Sequence, residues 1–125
     1  MPGESSFRRI ALGMKGAVEG AHMGHADFRL DGRIFATLHA SGQWGMVKLT
    51  PDQQQECLRD HPGTFAPENG AWGREGCTRV RLDAVDEDTL GAAMTLAWQN
   101  ASRANDARGA RAARPARPAR ATRKR

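Results

Sequence analysis

No stretch of 18 apolar residues occurs in the chain, so the sequence holds no candidate membrane-spanning helix. The opening residues, Met1-Pro2-Gly3-Glu4-Ser5-Ser6, lack the basic and apolar regions of a secretory signal. Cysteine is scarce. Cys57 and Cys77 are too few for a disulfide framework, and both are expected as free thiols in a cytoplasmic protein without membrane partners. Nucleotide and hydrolase fingerprints are missing too: there is no G-x-S-x-G, P-loop or Rossmann glycine pattern. Aromatic residues are only 6% of the 125, and no large apolar side chain follows Trp98. The last scarcity is of acid. Residues 103–125 carry nine Lys and Arg but a single acidic residue, whereas residues 1–102 carry ten basic and thirteen acidic residues. The net charge of +5 therefore belongs to the C-terminal segment, not to the rest of the chain.

What is present reads as one small domain. Phe7, Ile10, Ala11 and Met14 form one apolar stripe, which predicts a first helix over about Ser6 to Met14, with Gly13 and Gly16 weakening its end. Lys15 to Ala26 reads as a loop. Asp31-Gly32, set between Phe28-Arg29-Leu30 and Arg33-Ile34-Phe35-Ala36-Thr37-Leu38, predicts a hairpin with a type I′ turn. Trp44 to Leu49 adds a third strand to the meander. Thr50, Pro51 and Gln53 mark a second helix with a capping box, running to about Asp60 and stopped before Pro62.

A loop with short strands should span Thr64 to Gly76. In the strand Cys77 to Leu82, Thr78, Val80 and Leu82 share one face, and Arg79 and Arg81 share the other. Asp86 should cap a last helix with Val85 and Leu90 as its hydrophobic staple. Leu90, Ala93, Met94, Ala97 and Trp98 form its buried stripe. The expected fold is α+β, in the order α-β-β-β-α-β-β-α: an antiparallel sheet of about five strands with helices on one face. The domain should cover residues 1–101. Residues 102–125, rich in Arg, Ala and Pro, should be a disordered tail.

Three stretches resemble the MmcQ/YjbR family: Gly24 to Leu38 (GHADFRLDGRIFATL), Trp44 to Gln54 (WGMVKLTPDQQ) and Ala71 to Leu82 (AWGREGCTRVRL). The likeness covers roughly residues 7–101. It implies a fold similar to the frataxin/CyaY arrangement and a DNA-binding role through a proposed double wing of two hairpins. It establishes no reaction. The chain departs from the resemblance at Met14-Lys15-Gly16, where Leu-Pro-Gly is common, and in its Arg-rich tail.

Several constellations bear on function. Arg29 and Arg33 flank the first hairpin tip, Arg74, Arg79 and Arg81 belong to the second hairpin region, and Lys48 lies between them. Guanidinium groups on strand faces can contact phosphates or guanine edges, or simply solvate a half-exposed sheet. In the tail, Arg108, Arg111, Arg114, Arg117, Arg120, Arg123, Lys124 and Arg125 recur at about every third residue, a spacing that can track a phosphate backbone.

His22, His25, His39 and His61 show no zinc-ligand spacing with the cysteines, so no metal and no cofactor are expected. The first helix carries Arg8, Arg9 and Lys15, which disfavours an acidic iron ridge. Asp83, Asp86, Glu87 and Asp88 cluster at a helix start, where the dipole explains them. Neither cysteine has a local histidine partner for nucleophilic chemistry.

The expectation is a non-enzymatic, monomeric nucleic-acid-binding module, with the tail as phosphate anchor and the hairpins as a secondary surface. The alternative is a protein- or small-ligand-binding adaptor that uses the sheet face near Trp44 and Trp72.

Overall fold

The computed structural model describes residues 3–113, with side chains through residue 109. Four helices and six strands follow in the order α1 (Glu4–Leu12), β1 (Ala17–His22), β2 (His25–Leu30), β3 (Arg33–Leu38), β4 (Trp44–Lys48), α2 (Pro51–Asp60), β5 (Phe65–Pro67), α3 (Gly70–Arg74), β6 (Cys77–Arg81) and α4 (Glu87–Ala113). The strands form one antiparallel sheet in the order β1-β2-β3-β4-β6-β5. This is the expected α+β fold with one strand more.

The core lies between one sheet face and the helices. Phe28, Leu30, Ala36, Leu38, Val47, Val80 and Leu82 meet Phe7 and Ala11 of α1 and Leu90, Ala93, Met94 and Ala97 of α4. Gly45 is needed there, because a Cβ at that position would lie 2.5 Å from the Phe7 ring. The capping box of α2 is formed: Thr50 accepts from the Gln53 amide, and Gln53 Oε1 accepts from the Thr50 amide. Buried Gln54 is satisfied by Gly73 O, Cys77 O and Thr78 Oγ1, which ties α2 to the start of β6. Asp31 and Gly32 both have positive φ, 50° and 82°, as a type I′ turn requires.

Four expectations are corrected. The segment Lys15 to Ala26 contains an edge strand, β1, and a tight turn at Met23-Gly24 with φ of 51° and 79°. Strand β1 is hard to read because its residues, Val18 aside, are poor strand formers that take their order from pairing with β2. The stretch Gly70–Arg74 is a short helix, which places Arg74 on α3, outside the hairpin strands. Trp98 is half-buried instead of buried, with its indole N–H donating to Lys15 O at 2.8 Å.

Last, helical order does not stop near residue 101. Helix α4 runs on to Ala113. Its large apolar residues end at Trp98, but the packed stripe continues in small residues: Ala101 is buried and Ala104 half-buried. Alanine and arginine favour the helix strongly. The expectation of disorder for residues 114–125 lies outside the described residues.

Candidate nucleic-acid interface and the opposite groove

The two hairpins expected as wings are continuous parts of one sheet, with β4 between them. The helix-free face of that sheet is defined by its register. One row crosses it as Gly20, Asp27, Thr37, Met46, Arg79 and Ala66. Asp27 is fully buried, and Arg29 clamps it through Nε at 2.6 Å and Nη2 at 3.0 Å. Gly20 gives this pair room, since a Cβ there would stand 3.1 Å from Asp27 Oδ1 and 3.2 Å from Arg29 Nε. The hydrogen bond from Arg29 holds the Asp27 carboxyl below its usual range, helped by His22 and opposed by burial. The second oxygen of Asp27 meets His22 Nδ1 at 2.7 Å.

Three of the expected contact arginines thus have carboxylate partners on or beside their own strands. Arg29 is held by Asp27, Arg79 by Glu68 at 2.8 Å and Arg81 by Asp83 at 3.1 Å. Arg79 also stacks on the Trp44 ring at 3.4 Å from its centroid. The same holds for Arg8 with Glu4 and Glu19, Arg9 with Glu87, and Arg59 with Asp60. Three of the four acids at the start of α4 are accounted for in this way: Asp83 and Glu87 pair with arginines, and Asp86 accepts from the Thr89 amide at 2.7 Å.

Arg33, Arg103 and Arg108 differ. Arg33 Nε and Arg108 Nη2 both donate to Asn105 Oδ1, at 3.1 and 2.9 Å, and Arg103 Nη2 donates to Asn100 Oδ1 at 2.7 Å. Lys48 lies 5.7 Å from the centre of the Trp72 ring. Arg74 is exposed on α3. The side chain of Arg111 and the residues Arg114, Arg117, Arg120, Arg123, Lys124 and Arg125 lie outside the described residues.

A groove of about 250 Å³ opens on the sheet face away from α1 and α4, lined by His22, His25, His39, Trp44, Glu68 and Trp72 of α3 among others. Trp72 is 57% exposed there. The histidine rings run in a row, 6.2 Å from His22 to His25 and 5.5 Å from His25 to His39, and His39 stacks on Trp44 at 4.9 Å. Their gathering is not visible in the sequence, because it depends on the β1–β2 turn and on the register of β4. His61 is elsewhere, against Phe65. Among the described residues, no group of three or more His, Cys, Asp or Glu side chains is placed to hold a metal ion. Burial raises the thiol pKa of both Cys57 and Cys77, the opposite of what a thiolate nucleophile needs. No helix among the described residues is long and apolar enough to cross a membrane.

These features define a small α+β domain: a six-stranded antiparallel sheet with its main helices on one face and a shallow aromatic groove on the other. The YjbR family model matches residues 12–100, and the chain belongs to that family. The crystal structure of the Deinococcus radiodurans protein DR2400, which carries the domain DUF419, shares the fold with a TM-score of 0.67. That match is 18% identical and covers 78% of this chain and 77% of the other. No curated protein matches the chain.

Proposed function

We propose that the protein is a non-enzymatic nucleic-acid-binding module whose phosphate contacts lie at its C-terminal end. The observation that carries this reading is the path of α4. The helix leaves the core at buried Ala101 and continues as the basic segment, so the cations that follow are attached to a fixed body. Beyond Asp106 the sequence offers eight further Lys and Arg and no acidic side chain. A cation without a protein partner releases counterions when it meets phosphate; a cation already held by a carboxylate must first give up that partner. On this ground the sheet arginines Arg29, Arg79 and Arg81 are secondary at most.

The test is binding to random duplex DNA over a range of salt, with the full chain and a chain ending at Ser102. If about half of the basic segment's cations engage phosphates, log K falls against log salt with a slope of about −4. The shortened chain should lose most of that slope. Equal slopes for the two chains would move the site back to the sheet.

A second reading is favoured by the groove itself. Exposed Trp72, Trp44 and three histidines around about 250 Å³ suit a small planar ligand or a peptide side chain. Its check is a titration with fragment-sized heteroaromatic compounds, read from the Trp72 indole signal in NMR. An unmoved indole counts against it.

A further inference from the structure

Six arginines of the described residues end on carboxylates, and three end on asparagine amides. Both asparagines are on α4 and work alike. Asn100 Nδ2 donates to Lys48 O at 3.1 Å and to Gln53 Oε1 at 2.8 Å, and its Oδ1 receives Arg103. Asn105 Nδ2 donates to Leu30 O at 2.8 Å, and its Oδ1 receives both Arg33 and Arg108. Each amide therefore fastens the helix to a strand end with one atom and orients guanidinium groups with the other. An amide oxygen fixes an arginine's position without cancelling its charge. A carboxylate in the same place would do both.

Arg33 and Arg103 line one groove of about 400 Å³, walled by Lys48, Thr50, Asn100 and Glu75 among others. Glu75 is its acidic residue, and it forms no salt bridge with either arginine. Asp106, exposed on the next turn of α4, forms none with Arg103 or Arg108. The structure thus holds two oriented guanidinium groups in a groove, neither paired with a carboxylate, and a third on the adjoining helix face. Guanidinium forks match phosphate oxygens bidentately.

We infer that Arg33, Arg103 and Arg108, held by Asn100 and Asn105, form a binding site for a phosphate group. This deepens the nucleic-acid reading and rests on it for the source of the phosphate. A backbone phosphate suits this site because the sequence after Arg108 adds further Lys and Arg and no acidic residue. A free phosphate-bearing small molecule would satisfy the same chemistry, so the experiment separates the two.

The full chain is titrated with inorganic phosphate, and with chloride at matched ionic strength, while the side-chain amide signals of Asn100 and Asn105 are followed by NMR. Random duplex DNA is titrated in parallel over a range of salt. Phosphate should shift both amides saturably where chloride does not. The variant R33Q/R103Q/R108Q should abolish the shift and flatten the DNA salt slope by about 2–3, close to one for each arginine that no longer meets a phosphate. R103Q/R108Q changes two exposed helix positions and serves if replacing Arg33 disturbs the hairpin; it should flatten the slope by about 2.

Amides that respond to phosphate as they do to chloride overturn the site. A triple variant with the full-chain slope also overturns it, while leaving nucleic-acid binding in place. If the full chain ignores DNA but its amides still respond to phosphate, the site stands with a small-molecule ligand, and the nucleic-acid reading is the part that fails.

Discussion

The sheet and the C-terminal half of α4 both carry arginines, and they treat them in opposite ways. On the sheet, Arg29, Arg79 and Arg81 sit 2.6 to 3.1 Å from carboxylate oxygens. On α4, and at the start of β3 beside it, Arg103, Arg108 and Arg33 sit 2.7 to 3.1 Å from neutral amide oxygens. The distances are alike and the electrostatic results are not. One region pairs its positive charge with carboxylates; the other holds it on neutral amides. Counting basic residues cannot make that distinction, because what matters is the partner at the end of each side chain.

The contrast can be broken first at the level of stability. Leu90 is fully buried at the root of α4, so Leu90→Ala should cost ~2–5 kcal/mol in chemical denaturation. If binding belongs to the distal half of the helix, the folded fraction of that variant should keep the full-chain salt slope. A changed slope in the folded protein would show that the two regions are not separable. Next, removing residues 103–125 should weaken binding to random duplex DNA at least ~100-fold near 0.1 M salt, as expected when several phosphates are deprived of their cations. The melting temperature should fall modestly: Ala101 is the last buried residue of the described helix, but the Asn105 hydrogen bonds to Leu30 O and Arg33 are lost with the segment.

A smaller effect is expected inside the sheet. Asp27→Asn keeps the shape but leaves Arg29 and His22 without their anion. It should cost ~1.5–3 kcal/mol, the range for hydrogen bonds to a charged group. DNA affinity should not fall. A marked rise would show that Asp27 masks Arg29 as a phosphate ligand.

Acid should act in the same direction on the body. The carboxyls of Asp27, Asp86 and Glu87 are all held below their usual range: by the Arg29 hydrogen bond, by the Thr89 backbone hydrogen bond and by the Arg9 hydrogen bond respectively. A lowered folded-state pKa contributes stability above the unfolded value, and that stability is lost as pH falls through the folded value. Melting temperature should therefore hold down to about pH 4 and drop below it. A melting temperature that does not fall below about pH 4 would contradict this.

Much of the fold is legible in residues whose local chemistry is self-contained. Thr50-Pro51 with Gln53, the Asp31-Gly32 turn, the Asp86 cap and the alternation in Cys77 to Leu82 each specify their element within a few positions, and each is formed. Strand β1 is illegible because its order is imposed by β2. Turn residue Met23 adopts positive φ without being Gly, Asn or Asp. The length of α4 is hard to judge because its buried stripe shrinks from Trp98 to Ala101, and small residues leave little trace in a hydrophobic pattern.

For the candidate site, the sequence points to Arg33 and Arg108, and to Trp44 and Trp72 on one surface, where both line the groove. It gives no sign of Asn100, Asn105 and Arg103. Asparagine within a helix carries no signal of what its two amide atoms reach, and those partners lie up to 75 positions away.

The most direct test of the account is charge-matched. R103Q/R108Q and R79Q/R81Q each remove two positive charges from the full chain, the first from amide-held arginines and the second from carboxylate-held ones. With random duplex DNA over a range of salt, the account predicts that R103Q/R108Q flattens the slope of log K against log salt by about 2, while R79Q/R81Q changes it by less than about 0.5. Equal flattening by the two variants, or a larger effect from R79Q/R81Q, would contradict it.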